Sequence, residues 1–407
     1  MLDSILIGLS GMEGFSRGLK VISNNVANLN TAGFKSSTMQ FSDAYYQQSG
    51  TGSDQGTGES TSFGSGLATS TSVIDFHAGE LQTSNNPLDT AIGGDGYYVF
   101  QDKETGERTF SRDGQFEFNK DGVLVSTSTG KVVMGYASSG AQDMTKITLD
   151  GLRSNPPKAT TTVKFNGNIN PTPATGTTVA DATLDSVVVD DALGALHTLK
   201  LDVKNDAPSG PNSWTVKVMN SDGTAVATGS INFVGGAPDP AADTMTFNYT
   251  PSGGTAISIK LDFSTDVTSY ANGNVSSLAV TSQDGYGAGS ISATTFDGDG
   301  KLSITYSNGQ TVKGGQLVLA HFDSTLGLTQ VQGAQFKADD VSVVHYGRPG
   351  ANGLGSIEAS EIEGSNVDLS GEFSNLIVMQ RGYQASSNVI STANEMLQQL
   401  FDLHGSR

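Results

Sequence analysis

The chain has 407 residues, long enough for two or three domains, and its 36% hydrophobic content is adequate for packed cores but low for one large enzyme core. Its 51 glycines and its 15% of charged residues describe many short strands joined by tight turns rather than a bundle of helices. A formal charge of -19 argues against nucleic acid as a partner and against an anionic membrane surface, and the lack of cysteine excludes thiolate metal sites, thiol catalysis and disulfides.

The first predicted element is a helix over about Asp3–Asn28. Ile5, Met12, Phe15, Leu19, Ile22, Val26 and Leu29 recur on alternating spacings of four and three, and the row is broken only at Gly8. This is an a/d seam about four heptads long. Gly33 supplies its stop and Phe34 a hydrophobic latch. Asp3, Glu13, Arg17 and Lys20 interrupt the same stretch, so it is not the continuous apolar core of a cleaved signal, and no run in the chain approaches a membrane span.

Residues 40–72 are rich in Ser, Thr, Gly and Gln and read as a linker ordered only by its neighbours. From 73 to 152 the pattern is β, with Gly94-Asp95-Gly96 leading into Tyr97–Phe100, and with Asp113-Gly114 and Asp121-Gly122 as hairpin turns. Asn155-Pro156-Pro157 marks a boundary. Residues 153–283 form a separate β-domain whose one tryptophan, Trp214, sits on an alternating strand as a core residue. The first β-domain resumes over 284–363, with turns at Asp297–Lys301 and Ser307–Gly309, where the Asp297/Asp299 spacing lacks the remaining carboxylates of a calcium loop.

A second seam closes the chain. Leu369, Leu376, Tyr383, Ile390 and Leu397 form one row, Met379, Ala393 and Leu400 form a second row three residues after members of it, and Glu372 and Ser386 interrupt the second row. Asp368 or Ser365 is the N-cap. Residues 1–39 and 364–407 are therefore expected to act together. The fold class is α+β: a terminal helical coiled-coil pair and two largely antiparallel β-domains, the second inserted in the first. The helix pair either drives assembly with further copies or closes one globular domain.

The run Ile22–Lys35 is similar to the N-terminal signature of the flagellar rod and hook proteins. Ser365–Leu369, Phe373, Gln380–Ala385 and Asn394–Leu397 resemble the same family's C-terminal signature, and Gly94–Phe100 with Arg112–Phe116 resembles its core β-domain. Within the family, the size of the insertion and the runs Leu317–Phe322 and Gly327-Leu328 are similar to the hook branch rather than the shorter rod proteins. The resemblance implies a subunit that polymerises with itself into the flexible tube transmitting torque from rod to filament. It implies as partners the distal rod, hook cap and hook–filament junction proteins and the type III export apparatus, and a location outside the cell reached without a cleaved signal peptide. Phe41 to Tyr45 resembles a short aromatic export motif, with Phe41 and Tyr45 its aromatic ends; an aromatic packed on the terminal helices is the other reading. A distal rod protein, and an extracellular β-domain adhesin or carbohydrate-active enzyme on a helical stalk, are the alternatives.

No catalytic, cofactor or metal residues are expected. His77, His197, His321, His345 and His404 are scattered in sequence, and no P-loop or nucleophile elbow is present.

Overall fold

The computed structural model describes all residues except 1, 45, 50–60, 65, 138–140, 172–180, 206–212, 273–274, 325–326 and 406–407. The chain divides into two compact units, the first made of residues 1–149, 294–303 and 313–407 and the second of 150–293 and 304–312.

The first unit contains both terminal helices, α1 (Leu2–Ala27) and α2 (Leu369–Gly405). They run antiparallel, with Gly8 beside Ile390, Gly18 beside Met379 and Asn25 bonded to Glu372. α1 ends where the Asn28 side chain donates to the Asn24 carbonyl at 2.8 Å, and Gly33 then takes a φ of 66°, the left-handed conformation that glycine adopts without strain. At α2 the structure selects Asp368 as the cap: its Oδ1 accepts the Ser370 N–H at 3.0 Å, supplying one of the acceptors that the first helical turn lacks.

The stretch expected to be a linker is built differently. Ser37–Asp43 pairs antiparallel with Leu67–Ile74, from Ser37 opposite Ile74 to Asp43 opposite Leu67, with an irregularity between Met39 and Phe41. Tyr46–Ser49 pairs with Thr61–Gly64 in a second ladder. The first ribbon lies on α1: the Phe15 and Phe41 ring centroids are 6.0 Å apart, and the Ser10 hydroxyl accepts the Leu67 N–H at 3.1 Å. A polar stretch can form such ladders because the pairing groups are backbone; side-chain composition reports only the missing core.

The β-body of this unit centres on Tyr97–Gln101, which pairs with Arg108–Ser111 on one side and with Val132–Tyr136 and Leu319–Phe322 on the other. Gln335–Ala338 and Leu328–Val331 extend the sheet. Tyr97, Phe110, Phe322 and Phe336 fill the core, with Phe110 and Phe322 edge to face at 4.9 Å. Asp121-Gly122 turns between Phe116–Phe118 and Leu124–Ser126 as expected, and Gly122 has a φ of 77°. Asp113-Gly114 is not a hairpin turn. There glycine serves close approach, since a Cβ on Gly114 would stand 1.8 Å from the Thr90 carbonyl oxygen, while Thr90 N–H donates back to the Gly114 carbonyl at 3.0 Å. The chain returns to α2 through Ser356–Ala359, paired with Thr90–Gly93, and Glu361–Glu363, paired with Leu81–Thr83.

The second unit packs two sheets around Trp214, which is fully buried, and the stacked pair Phe165 and Phe263, 4.6 Å apart. One sheet is antiparallel and runs from Asp181–Asp190 through Leu196–Asn205, Ser213–Asn220 and Ala225–Val234 to Ala237–Pro238. The other sets Thr162–Asn168 between Ile257–Thr268, to which it is parallel, and Ala279–Gln283, and places Thr244–Tyr249 at its edge. Where the sequence reading placed one inserted segment over 153–283, with the first β-domain resuming at 284, this unit begins at 150, runs on to 293 and also takes in 304–312. The reason is local: the Ser307 N–H donates to the Ser290 carbonyl at 2.8 Å, and the Asn308 amide to the Gly287 carbonyl at 2.9 Å. The connection itself is a short antiparallel stem, with Ser154 opposite Ser290, Asn155 opposite Gly289 and Lys158 opposite Tyr286.

Candidate functional site: the terminal helix pair

The two helices approach along a row of small residues. A Cβ on Gly8 would lie 2.7 Å from Ile390 Cγ1, one on Gly11 2.7 Å from Ser386 Oγ, one on Gly18 3.0 Å from Met379 Sδ and one on Gly382 2.6 Å from the Phe15 ring. Each glycine is thus a hole for a side chain of the facing helix. Near the roots of the helices the seam becomes polar. Asn25 is fully buried; its amide nitrogen donates to Glu372 Oε1 at 2.7 Å and to the Ser37 carbonyl at 2.8 Å, and its amide oxygen accepts the Ser37 N–H at 3.0 Å. A buried amide with this set of partners selects one pairing, because any slip leaves it unsatisfied.

Of the expected seam residues, Ile22 is buried, and Ile5, Met12, Phe15, Leu19, Val26, Leu29, Leu376, Ile390 and Leu397 are half-buried. Leu369 and Tyr383 stay exposed. The contact face of α1 follows 8, 11, 15, 18, 22 and 25, so it shares Phe15 and Ile22 with the expected row but turns toward Gly11, Gly18 and Asn25 instead of Met12, Leu19 and Val26. On α2 the two expected interruptions are members of the seam, Glu372 through Asn25 and Ser386 through Gly11. The signal for these missed residues was their three-and-four spacing as small or polar side chains, in phase with the apolar row.

Apolar side chains remain exposed on both helices, and on α2 the spacings of eleven and seven put Val378, Val389 and Met396 on one face. Leu6 and Leu9 on α1, and Phe373, Val378, Val389 and Met396 on α2, are exposed, Val378 to 61%. Phe41 lies on Phe15, and Tyr45 lies outside the described residues.

Two features singled out in the sequence, the Asp297/Asp299 turn and His345 among the histidines, find ordinary partners. Lys313 Nζ lies 2.9 Å from Asp297 Oδ2, and Lys301 Nζ 2.8 Å from Asp299 Oδ2, so both aspartates of that turn are neutralised by lysine. His321 and His345 stand opposite each other on paired strands, a juxtaposition invisible in sequence, and His345 Nε2 is 3.0 Å from Asp323 Oδ2. Among the described residues no group of three His, Asp or Glu is arranged to hold a metal ion, and no helix is long and apolar enough to cross a membrane.

Three family profiles match: the flagella basal body rod protein at residues 5–35, the flagellar hook protein FlgE/F/G D1 domain at 91–170, and the flagellar basal body rod FlgEFG protein C-terminal region at 359–403. The chain is similar to the flagellar hook protein FlgE of Borreliella burgdorferi, with 28% identity over 99% of this chain and 100% of that one. It is also similar to FlgE of Salmonella typhimurium, with 29% identity over 97% of this chain and 98% of that one. The crystal structure of Helicobacter pylori flagellar hook protein FlgE2 overlaps 69% of this chain and 100% of that one, with a TM-score of 0.48 and 14% identity. A body of antiparallel β-structure whose two chain ends close on each other as one helical stem defines the class. Both ends of the chain and its core β-domain match the flagellar rod and hook protein family, and the relatives that match it over nearly its whole length are hook proteins.

Proposed function

We infer that this chain is the repeating structural subunit of a flagellar hook, polymerising with itself into the flexible tube that transmits torque from rod to filament. The observation that carries this reading is the apolar flank of the helix pair, left uncovered although the seam between the helices is filled. An apolar surface along a 37-residue helix calls for a cover, and further copies of the same helices supply one. In the proposed tube the helix pairs line the inside. The β-body of the first unit forms an inner layer and the second unit an outer one, whose weakly charged Thr/Ser-rich surfaces slide as the tube bends.

The same reading takes the distal rod, hook cap and hook–filament junction proteins as axial partners, and export by the type III apparatus without a cleaved signal peptide. Phe41 and Tyr45 are proposed as the export motif. Because Phe41 packs on Phe15 in the folded subunit, an export gate that reads it has to do so before the helix pair closes. No catalytic role is assigned.

Electron microscopy of purified subunit with both ends intact tests the proposal. Tubes are expected above a critical concentration; subunits that stay monomeric at every concentration would sink it.

A further inference from the structure

Three distant parts of the first unit meet at one side chain. Glu363 is the last residue of the strand before α2, and its Oε1 accepts from Lys35 Nζ at 2.5 Å and from the Gly79 N–H at 2.9 Å. Its Oε2 accepts from Arg112 Nη1 at 3.2 Å. The side chains of Lys35 and Glu363 are wholly buried and that of Arg112 is 5% exposed. Lys35 also donates to the His77 carbonyl at 2.7 Å, and Arg112 to the carbonyls of Ile92 at 3.3 Å and Gly94 at 2.8 Å, while its guanidinium lies over the Tyr97 ring. The backbone repeats the junction: the Gly33 N–H donates to the Glu363 carbonyl at 2.8 Å, and Asn366 accepts the Ser36 N–H at 2.7 Å.

The charges in direct contact are unequal, two cations to one anion, and the excess is offset by carbonyl oxygens and, from further off, by the Asp75 carboxylate. Burial pulls the Lys35 ammonium below its ordinary pKa, and Glu363 is the chief group opposing that shift. The cluster therefore depends on its anion more than on either cation. Removing Glu363 strands two buried charges, whereas removing Lys35 leaves a balanced pair. Its position is also particular. The Asn25–Glu372 bond lies ten residues before Lys35 on one chain segment and nine after Glu363 on the other, so the cluster and that bond tie the same two segments together at two points.

We propose that the Glu363 carboxylate is a clasp that holds the roots of α1 and α2 on the β-body and sets their register in the free subunit, ahead of any contact with a neighbouring copy. It makes Glu363 a positioning residue for assembly, and this last clause alone rests on the polymer reading above.

The test compares Glu363→Gln, Lys35→Met and the double variant of the full chain. In the monomer, hydrogen exchange at the Gly33 and Gly79 amides is expected to rise at least about tenfold in Glu363→Gln and less in Lys35→Met, with the double variant milder than the sum of the singles. In assembly, Glu363→Gln is expected to raise the critical concentration for tubes by about tenfold or more. Unchanged exchange in Glu363→Gln overturns the clasp, and so do equal and additive effects of the two single changes. Where Glu363→Gln unfolds the β-body, Lys35→Met decides, because a balanced pair remains and unchanged Gly33 exchange overturns the proposal. A changed exchange pattern in a protein whose unaltered form makes no tubes upholds the clasp and removes the polymer reading instead.

Discussion

Asp284 shows how much one carboxylate organises at the base of the second unit. Burial pushes its pKa up, but the Thr161 hydroxyl, the Thr162 and Thr161 amides and the Lys158 ammonium outweigh that and hold it far below the ordinary carboxylate range. A native pKa below the unfolded one means stability that is present above the unfolded value and is lost as pH falls through the native one. Trp214, the only tryptophan, lies in the core of the same unit and reports its unfolding alone. The midpoint of urea unfolding followed by Trp214 fluorescence is expected to fall between about pH 5 and pH 2, and Asp284→Asn should flatten that dependence while lowering stability at neutral pH by about 1–3 kcal/mol. An unchanged slope in the variant would assign the acid sensitivity to other groups. Nothing in the sequence marked this residue, since Thr161 and Lys158 lie more than a hundred positions away. Gly8 was read as a break in the row, and Gly11 and Gly18 escaped notice, for another reason: a hydrophobic pattern counts side chains, and these positions act through the lack of one.

At the scale of elements, the helices and their caps were legible because local rules set them: a seven-residue apolar repeat, Gly33 after α1, Asp368 before α2. The ribbon of Ser37–Asp43 and Leu67–Ile74 was not, because its ladder is made of backbone and its order comes from lying on α1. The seam was legible in period and misread in rotation, since Glu372 and Ser386 looked like faults in a row they belong to. The structure separates two faces of α2 that sequence alone merges. Ile390 fills the hole at Gly8, so Ile390→Asp should unpair the helices within a subunit at a cost of about 2–5 kcal/mol, and Leu376→Asp should act likewise. Val378 is on the uncovered flank, so Val378→Asp should leave the monomer's helical circular dichroism and thermal transition unchanged yet abolish tubes. Normal tubes from Val378→Asp would show that this flank stays bare in the polymer. Loss of monomer helix in the same variant would show that it is covered from within.

The proposed layering makes assembly and curvature separable. The second unit is entered and left along one antiparallel stem, in which Lys158 and Tyr286 exchange hydrogen bonds of 2.9 and 3.0 Å and Asn155 faces Gly289. Replacing residues 159–285 by a two-residue Gly-Ser turn would cap that stem as a hairpin, leaving the Tyr306 hydroxyl bond to the Leu152 carbonyl and the Asn308 bond to Gly287 in place. The helix seam, its buried Asn25 and the Glu363 cluster all lie outside the deleted segment. The shortened chain is therefore expected to fold and to polymerise. Contacts at the largest radius of a tube have the greatest leverage on its curvature, because a small axial shift there changes the length of one side most. With the proposed outer layer gone, tubes should relax toward straight. Electron micrographs of tubes grown from the deletion variant, scored for yield and for curvature, provide the measurement. A folded variant that forms no polymer would place essential assembly contacts in residues 159–285, and tubes of unchanged curvature would place the origin of bending in the inner layer.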